Sequence, residues 1–268
     1  MVSDLLFEKR DRVALVTFNR PAKRNALTPE MVVRLAQAWR EFREDDGLRV
    51  AILTGAGDTF SAGADLRRLI PLLTRARAPE DEWDRALLAD RSLFQAALLR
   101  RFEVWKPVIA AVNGPALAGG CEILLATDLR LGAPEASIGL PEPKRGIIPG
   151  AGSMARLARQ IPYVHAMQIM LTGDAVPAPA ALAMGLLNEI VPRETLLDRA
   201  LELAARISAN GPLAVRKIKE AVIRCQGRPL EDAFTIEDEC AREVMRSADA
   251  REGPRAFVEK RTANFTGR

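Results

Sequence analysis

Apolar positions along this chain follow two alternating rhythms. Short runs rich in β-branched residues, RVALVTFNR (12–20), RVAILTG (49–55) and PVIAAV (107–112), read as strands. RVAILTG is continuously apolar, as suits a sheet covered on both faces. Other stretches carry apolar residues every three or four positions. PEMVVRLAQAWREFRED (29–45) places Met31, Leu35, Trp39 and Phe42 on one helical face, with Thr28 as N-cap and Pro29 at the first helical position. Prolines and mixed charge over 71–82 predict a surface excursion, after which a helical pattern resumes through Trp83, Leu87, Phe94, Leu98 and Phe102.

ATDLRLGAPEASIGLPE (126–142) predicts two short strands separated by turn residues. From about residue 151 the pattern is mainly helical. There, Thr195 and Asp198 stand at capping-box spacing, Asn210-Gly211-Pro212 stops one helix, and LAVRKIKEAVIRCQG (213–227) ends at a glycine. Strands alternating with helices predict an α/β class. We expect a main unit over residues 1–195 and a helical region over 196–268 serving association or as a lid.

Against this background, NGPALAGGCE (113–122) stands out, since it strips the start of a helix of side chains and then places a glutamate one turn inside it. Eight of the 18 glycines fall between residues 114 and 152, so something must approach that backbone closely. A phosphate loop does not fit, because Gly120 and Cys121 follow GPALAG where Lys and Ser or Thr are required. The alternative is a hole for developing negative charge, with Gly119 as one N–H donor and Ala64, in the comparable small-residue stretch SAGADL, as the other. Glu122 would project beside the donor, and Glu142, in a proline-flanked turn, is a second carboxylate able to move protons.

Composition narrows the alternatives. Apolar residues at 48% and charged residues at 28% are ordinary for a globular chain of 268 residues. No apolar run approaches the roughly 18 residues that span a bilayer, and the N-terminal residues lack an export signal, so we expect a protein of the cytoplasm with no membrane partner. Three cysteines, 121, 225 and 240, fit a reducing compartment. Neither they nor the single His165 have metal-site spacing, so no metal is expected. The net charge of +4 is spread along the chain and hints only weakly at anionic partners.

Six segments in order carry a resemblance that runs almost end to end. They are NRPAKRNALTPEM, AILTGAGDTFSAGADL, KPVIAAVNGPALAGGCEILLATDLRL, ASIGLPEPKRGIIPGAGSMARL, LTGDAVPAPAALAMGLLNEIV and EGPRAFVEKRTANF. Together they resemble the crotonase (enoyl-CoA hydratase/isomerase) superfamily. The resemblance implies a spiral of ββα units, C-terminal helices that build trimers or hexamers as dimers of trimers, and acyl-CoA thioester substrates with no separate cofactor.

It also matches Ala64 and Gly119 to oxyanion-hole donors and Glu122 and Glu142 to the two catalytic glutamates of hydratases. For CoA it implies Arg24, Ala62, Ala64, Asp65, Leu66, Arg67 and Gly119, with Phe257 and Lys260 often lent by a neighbouring subunit. The expected reaction is hydration of a 2-enoyl-CoA or its reverse.

Two features depart from compact short-chain hydratases: Pro143-Lys144-Arg145 after Glu142, similar to carnitinyl-CoA dehydratases, and the long insertion between Ala64 and Gly119. Both border the expected acyl chain, which keeps Δ3-Δ2 isomerisation and dehydration as neighbouring readings. A non-catalytic CoA-binding scaffold is disfavoured by the presence of both glutamates. RNA binding is disfavoured because the basic stretches are broken by Pro71 and acidic residues and lack interleaved aromatics. A Cys121–His165 nucleophile pair lacks an orienting acid.

Overall fold

The structure, a computed structural model, describes residues 3–268. Nine strands occur among these residues: β1 (Leu5–Arg10), β2 (Val13–Phe18), β3 (Val50–Gly55), β4 (Val108–Val112), β5 (Ala116–Leu117), β6 (Leu129–Gly132), β7 (Ser137–Gly139), β8 (Val176–Pro177) and β9 (Glu189–Ile190). Six form one sheet in the order β1-β2-β3-β4-β6-β9, parallel throughout except for the β1–β2 hairpin. The other three, β5-β7-β8, form a small second sheet. β3 and β4 are apolar without alternation because both of their faces are covered.

One face of the large sheet carries helix α1 (Pro29–Glu44), which forms where the periodicity predicts it. Thr28 Oγ1 accepts from the Met31 N–H at 3.1 Å, and Met31, Leu35, Trp39 and Phe42 are all buried. Two short helices, α3 (Glu82–Ala89) and α4 (Ser92–Ala97), pack on it, and α2 (Leu69–Leu73) adds Leu69 and Leu72 to the same core. The helical pattern expected through Phe102 ends earlier, because Leu99 and Arg101 adopt positive φ (48° and 55°) and turn the chain after Leu98. The excursion at 71–82 is mostly at the surface but is fastened from within. Arg77 pairs with the fully buried Asp84, with Nη2 to Oδ1 at 2.8 Å, and the Glu80 N–H donates to the same carboxylate.

The remaining helices are α5 (Gly119–Leu124), α6 (Ser153–Gln160), α7 (Tyr163–Thr172), α8 (Ala178–Ala183), α9 (Leu196–Ser208), α10 (Pro212–Cys225), α11 (Leu230–Met245) and α12 (Asp249–Val258). α9 lies beyond the division expected at residue 195, yet it covers the second face of the large sheet. Its Leu196, Ala200 and Ala204 pack with Val50, Ile52 and Ile109. The Thr195–Asp198 capping box does not form. Thr195 closes a 3₁₀ turn over 193–195 instead, and its hydroxyl donates to the Pro192 carbonyl. α9 ends at Ser208, just before the predicted Asn210-Gly211-Pro212 stop, and Pro212 opens α10. Among the described residues no helix is long and apolar enough to cross a membrane.

Candidate active site

Main-chain pairing brings three distant loops together. The Leu27 N–H donates to the Gly63 carbonyl and the Asp65 N–H to the Leu27 carbonyl, while Ser61 exchanges bonds with Pro115 and Leu117. The loops meet closely because they lack side chains. A Cβ on Gly63 (φ +88°) would stand 2.5 Å from Ala118 Cβ and 2.8 Å from Gly119 N, and one on Gly120 would stand 2.5 Å from the Ser61 carbonyl oxygen. The expectation that glycines clear space is thus met by the protein itself: at Gly63, Gly114 and Gly120 the neighbour is its own backbone.

Ala64 N and Gly119 N lie on facing loops, and a Cβ on Gly119 would stand 3.6 Å from Ala64 N. Among the described residues neither N–H has a hydrogen-bond acceptor. The turn between β5 and α5 runs through Ala118 at φ 49°, ψ −126°, a conformation that costs a non-glycine residue on the order of 1–3 kcal/mol. The Ala118 N–H to Gly139 carbonyl bond, at 3.0 Å, helps hold it there. The result is a pair of acceptor-free amides on closely facing loops, which could donate to one oxygen.

Glu122 lies one turn into α5 and is only 5% exposed. Its Oε1 accepts from the Ala151 N–H at 2.7 Å, the Ser153 hydroxyl at 2.9 Å and, at 3.4 Å, the Ser153 N–H. Burial pushes its carboxyl above the ordinary range, while these donors and the Arg156 charge favour the ionised form. Arg130 donates to the Leu124 carbonyl and caps the far end of the same helix.

Glu142 opens the 3₁₀ helix Glu142–Arg145 between Pro141 and Pro143. It is 7% exposed, and its buried Oε2 has no hydrogen-bond partner among the described residues, an arrangement that costs free energy in the folded chain. Burial, and after it the charge of Glu122, push this carboxyl up to about 7, while its own N–H and Arg145 oppose the rise. The two acids are therefore near enough to repel one another, and their surroundings differ: one is held by donors and the other is left bare. Such a pair can take a proton at one oxygen and give one at another.

The other predicted residues divide. Arg24 and Ala62 join the same loop cluster through the Ala62 N–H to Arg24 carbonyl bond. The Arg24 and Arg67 side chains are exposed and have no acid partner among the described residues. Leu66 is exposed beside them. Asp65 faces inward: its carboxylate accepts from the Arg67 and Arg68 N–H groups and pairs with Arg20, which makes it a brace for the loop. Phe257, 85% exposed, and Lys260 lie on and just beyond α12, which packs on α11 and not in this cluster.

Cys121 is fully buried, and burial together with Glu122 and Glu142 pushes its thiol upward, away from a reactive thiolate. Sequence reasoning missed Ala151 and Ser153 as the holders of Glu122. The signal lay in PGAGS (149–153), a second small-residue turn before a helix.

Comparison with known proteins bears on this geometry. The family model described as Enoyl-CoA hydratase/isomerase matches residues 8–268. A relative named enoyl-CoA hydratase EchA19, from Mycobacterium tuberculosis, is 44% identical over 99% of this chain and 97% of its own length. A carnitinyl-CoA dehydratase from Citrobacter koseri is 36% identical over the whole of both chains. The crystal structure of an enoyl-CoA hydratase from Mycobacterium tuberculosis superposes with a TM-score of 0.88 at 39% identity, covering both chains completely.

Proposed function

The chain belongs to the enoyl-CoA hydratase/isomerase (crotonase) family, and on that premise we propose that it adds water across the C2–C3 double bond of a 2-enoyl-CoA thioester, or removes it in reverse. The observation that carries the proposal is the pairing of two acceptor-free amides, at Ala64 and Gly119, with a bare buried carboxylate oxygen on Glu142 that feels the charge of the donor-held Glu122.

In this reading the two amides bind the thioester carbonyl oxygen and draw charge from C3. Glu122, held in place by the Ala151 N–H and the Ser153 hydroxyl, in its ionised form takes a proton from water as the water oxygen bonds to C3. The electrons of the double bond move onto the thioester as an enolate, and Glu142, protonated below about pH 7, delivers its proton to C2. Transfer of the proton from Glu122 to Glu142 resets the site. CoA then arrives as part of the substrate, with the unpaired Arg24 and Arg67 as candidates for its phosphates.

The exposed apolar residues of the C-terminal helices, among them Ile218, Val222 and Phe257, support association of copies of the chain as trimers or dimers of trimers. Light scattering after gel filtration tests this. The related carnitinyl-CoA dehydratase supports the dehydrating direction as a second reading.

The deciding experiment follows loss of the enoyl-thioester ultraviolet absorbance with crotonyl-CoA and longer 2-enoyl-CoA esters, alongside 3-enoyl- and 3-hydroxyacyl-CoA. Glu122→Gln and Glu142→Gln should each lower kcat by about 10²–10⁴-fold. Wild-type rates in either variant would refute the assigned role.

A further inference from the structure

The segment after Glu142 holds two adjacent cations with different fates. Lys144 is ion-paired with Asp174. Arg145 is exposed, and its guanidinium donates only to the Pro141 carbonyl, at 3.1 Å, with no carboxylate partner among the described residues. The turn is a 3₁₀ helix that begins at Glu142 and ends at Arg145, so the two residues stand one turn apart. The charge of Arg145 is felt at Glu142, which it draws toward the ionised form. Ile147 and Ile148, both largely exposed, follow directly in the chain.

A site with two carboxylates repels an acyl group that carries a third unless a cation offsets them. An unpaired guanidinium beside apolar surface suits an acyl chain that is apolar along its length and anionic at its end, because its planar fork grips a carboxylate through two hydrogen bonds. A purely alkyl chain would gain nothing from that group and would have to desolvate it. We propose that Arg145 is a specificity-determining residue that selects 2-enoyl-CoA thioesters whose acyl chain ends in a carboxylate. This assignment rests on the hydration reading above.

The test compares two 2-enoyl-CoA esters of equal length, one ending in a methyl group and one in a carboxylate, so that the CoA contribution cancels. The quantity read is the ratio of their kcat/KM values. The wild type should favour the carboxylate ester, and Arg145→Leu should lower the ratio at least tenfold. Arg145→Lys should keep part of the preference, while Lys144→Gln, which removes a cation already paired, should leave the ratio unchanged. Raising the salt concentration should erode the wild-type preference. A wild type that hydrates both esters without preference, or a preference that survives Arg145→Leu, overturns the assignment and leaves hydration standing. Failure of the wild type to hydrate either ester refutes hydration and the assignment together.

Discussion

Titrating Glu142 should move activity and stability in ways that can be separated. Its carboxyl is pushed from an ordinary 4.5 up to about 7, so in the window between those values the folded chain holds a proton that the unfolded chain has released. A raised folded-state value favours folding below 4.5, and that advantage is lost as the pH climbs through about 7. At about 1.4 kcal/mol per pH unit the whole window is worth at most about 3.5 kcal/mol, and solvent reaching the cleft reduces this to about 1–2 kcal/mol. For a chain of this size that is a fall in Tm of roughly 2–8 °C between about pH 5 and about pH 8.5 beyond other titrations.

Glu142→Gln should remove this component. The comparison is the difference between the two pH values within each protein, so any fixed cost of the amide cancels. In kinetics, kcat/KM for hydration should fall toward tenfold per pH unit above about 7, because the proton donor is lost. Dehydration should fall in parallel over the same range, because the reaction takes up no net proton and the ratio of the two kcat/KM values is a pH-independent equilibrium constant. A kcat/KM profile for hydration that stays flat between about pH 6 and about pH 9, together with the same Tm difference in Glu142→Gln, would refute the reasoning.

Ser153→Ala removes one of the donors on Glu122 and should lower kcat about tenfold while moving the acidic limb of the pH profile upward; stopped-flow hydration across pH reads both. Gly120→Ala forces a Cβ within 2.5 Å of the Ser61 carbonyl oxygen and should cost about 1–3 kcal/mol or more in urea unfolding. Arg77→Leu leaves the buried Asp84 with only Arg68, at 3.6 Å, as a cation and should destabilise the chain by about 3 kcal/mol, with amide exchange accelerated over 66–97. Asp84, held down to about 2 despite its burial by Arg77 and the Glu80 N–H, stabilises the wild type above about 3.8, and that stabilisation should drain away as the pH falls toward 2.

Much of this was legible before any coordinates. Helix α1 could be read because periodicity, cap and proline agree at one place, and β3 and β4 because a doubly covered strand has no polar face. The site was legible as two small-residue loops and two glutamates, since free amides require bare backbone. What stayed hidden depends on pairing across the chain. β5, β8 and β9 are two residues long and exist only through their neighbours. The helix expected through Phe102 is broken by positive φ at Leu99 and Arg101, residues that carry no glycine or proline signal. The Thr195 N–H had a choice of acceptors, the Asp198 carboxylate or the Pro192 carbonyl, and spacing alone could not show that Pro192 would win. Glycine content announced a close approach but could not say whether a ligand or the chain itself was approaching.

The contact of Gly63 with Ala118 and Gly119 has a consequence for how such a site can change. The separation of the two amides is set mainly by close main-chain approach, with only the Ala118 Cβ and the Leu27 Cδ1 packed against it. Point substitution therefore has little grip on the carbonyl-binding geometry. It has ample grip on residues 143–148, where side chains face outward and glycine is not demanded by crowding. New chemistry on this scaffold is most easily reached by rewriting that short stretch while the amide pair stays as it is.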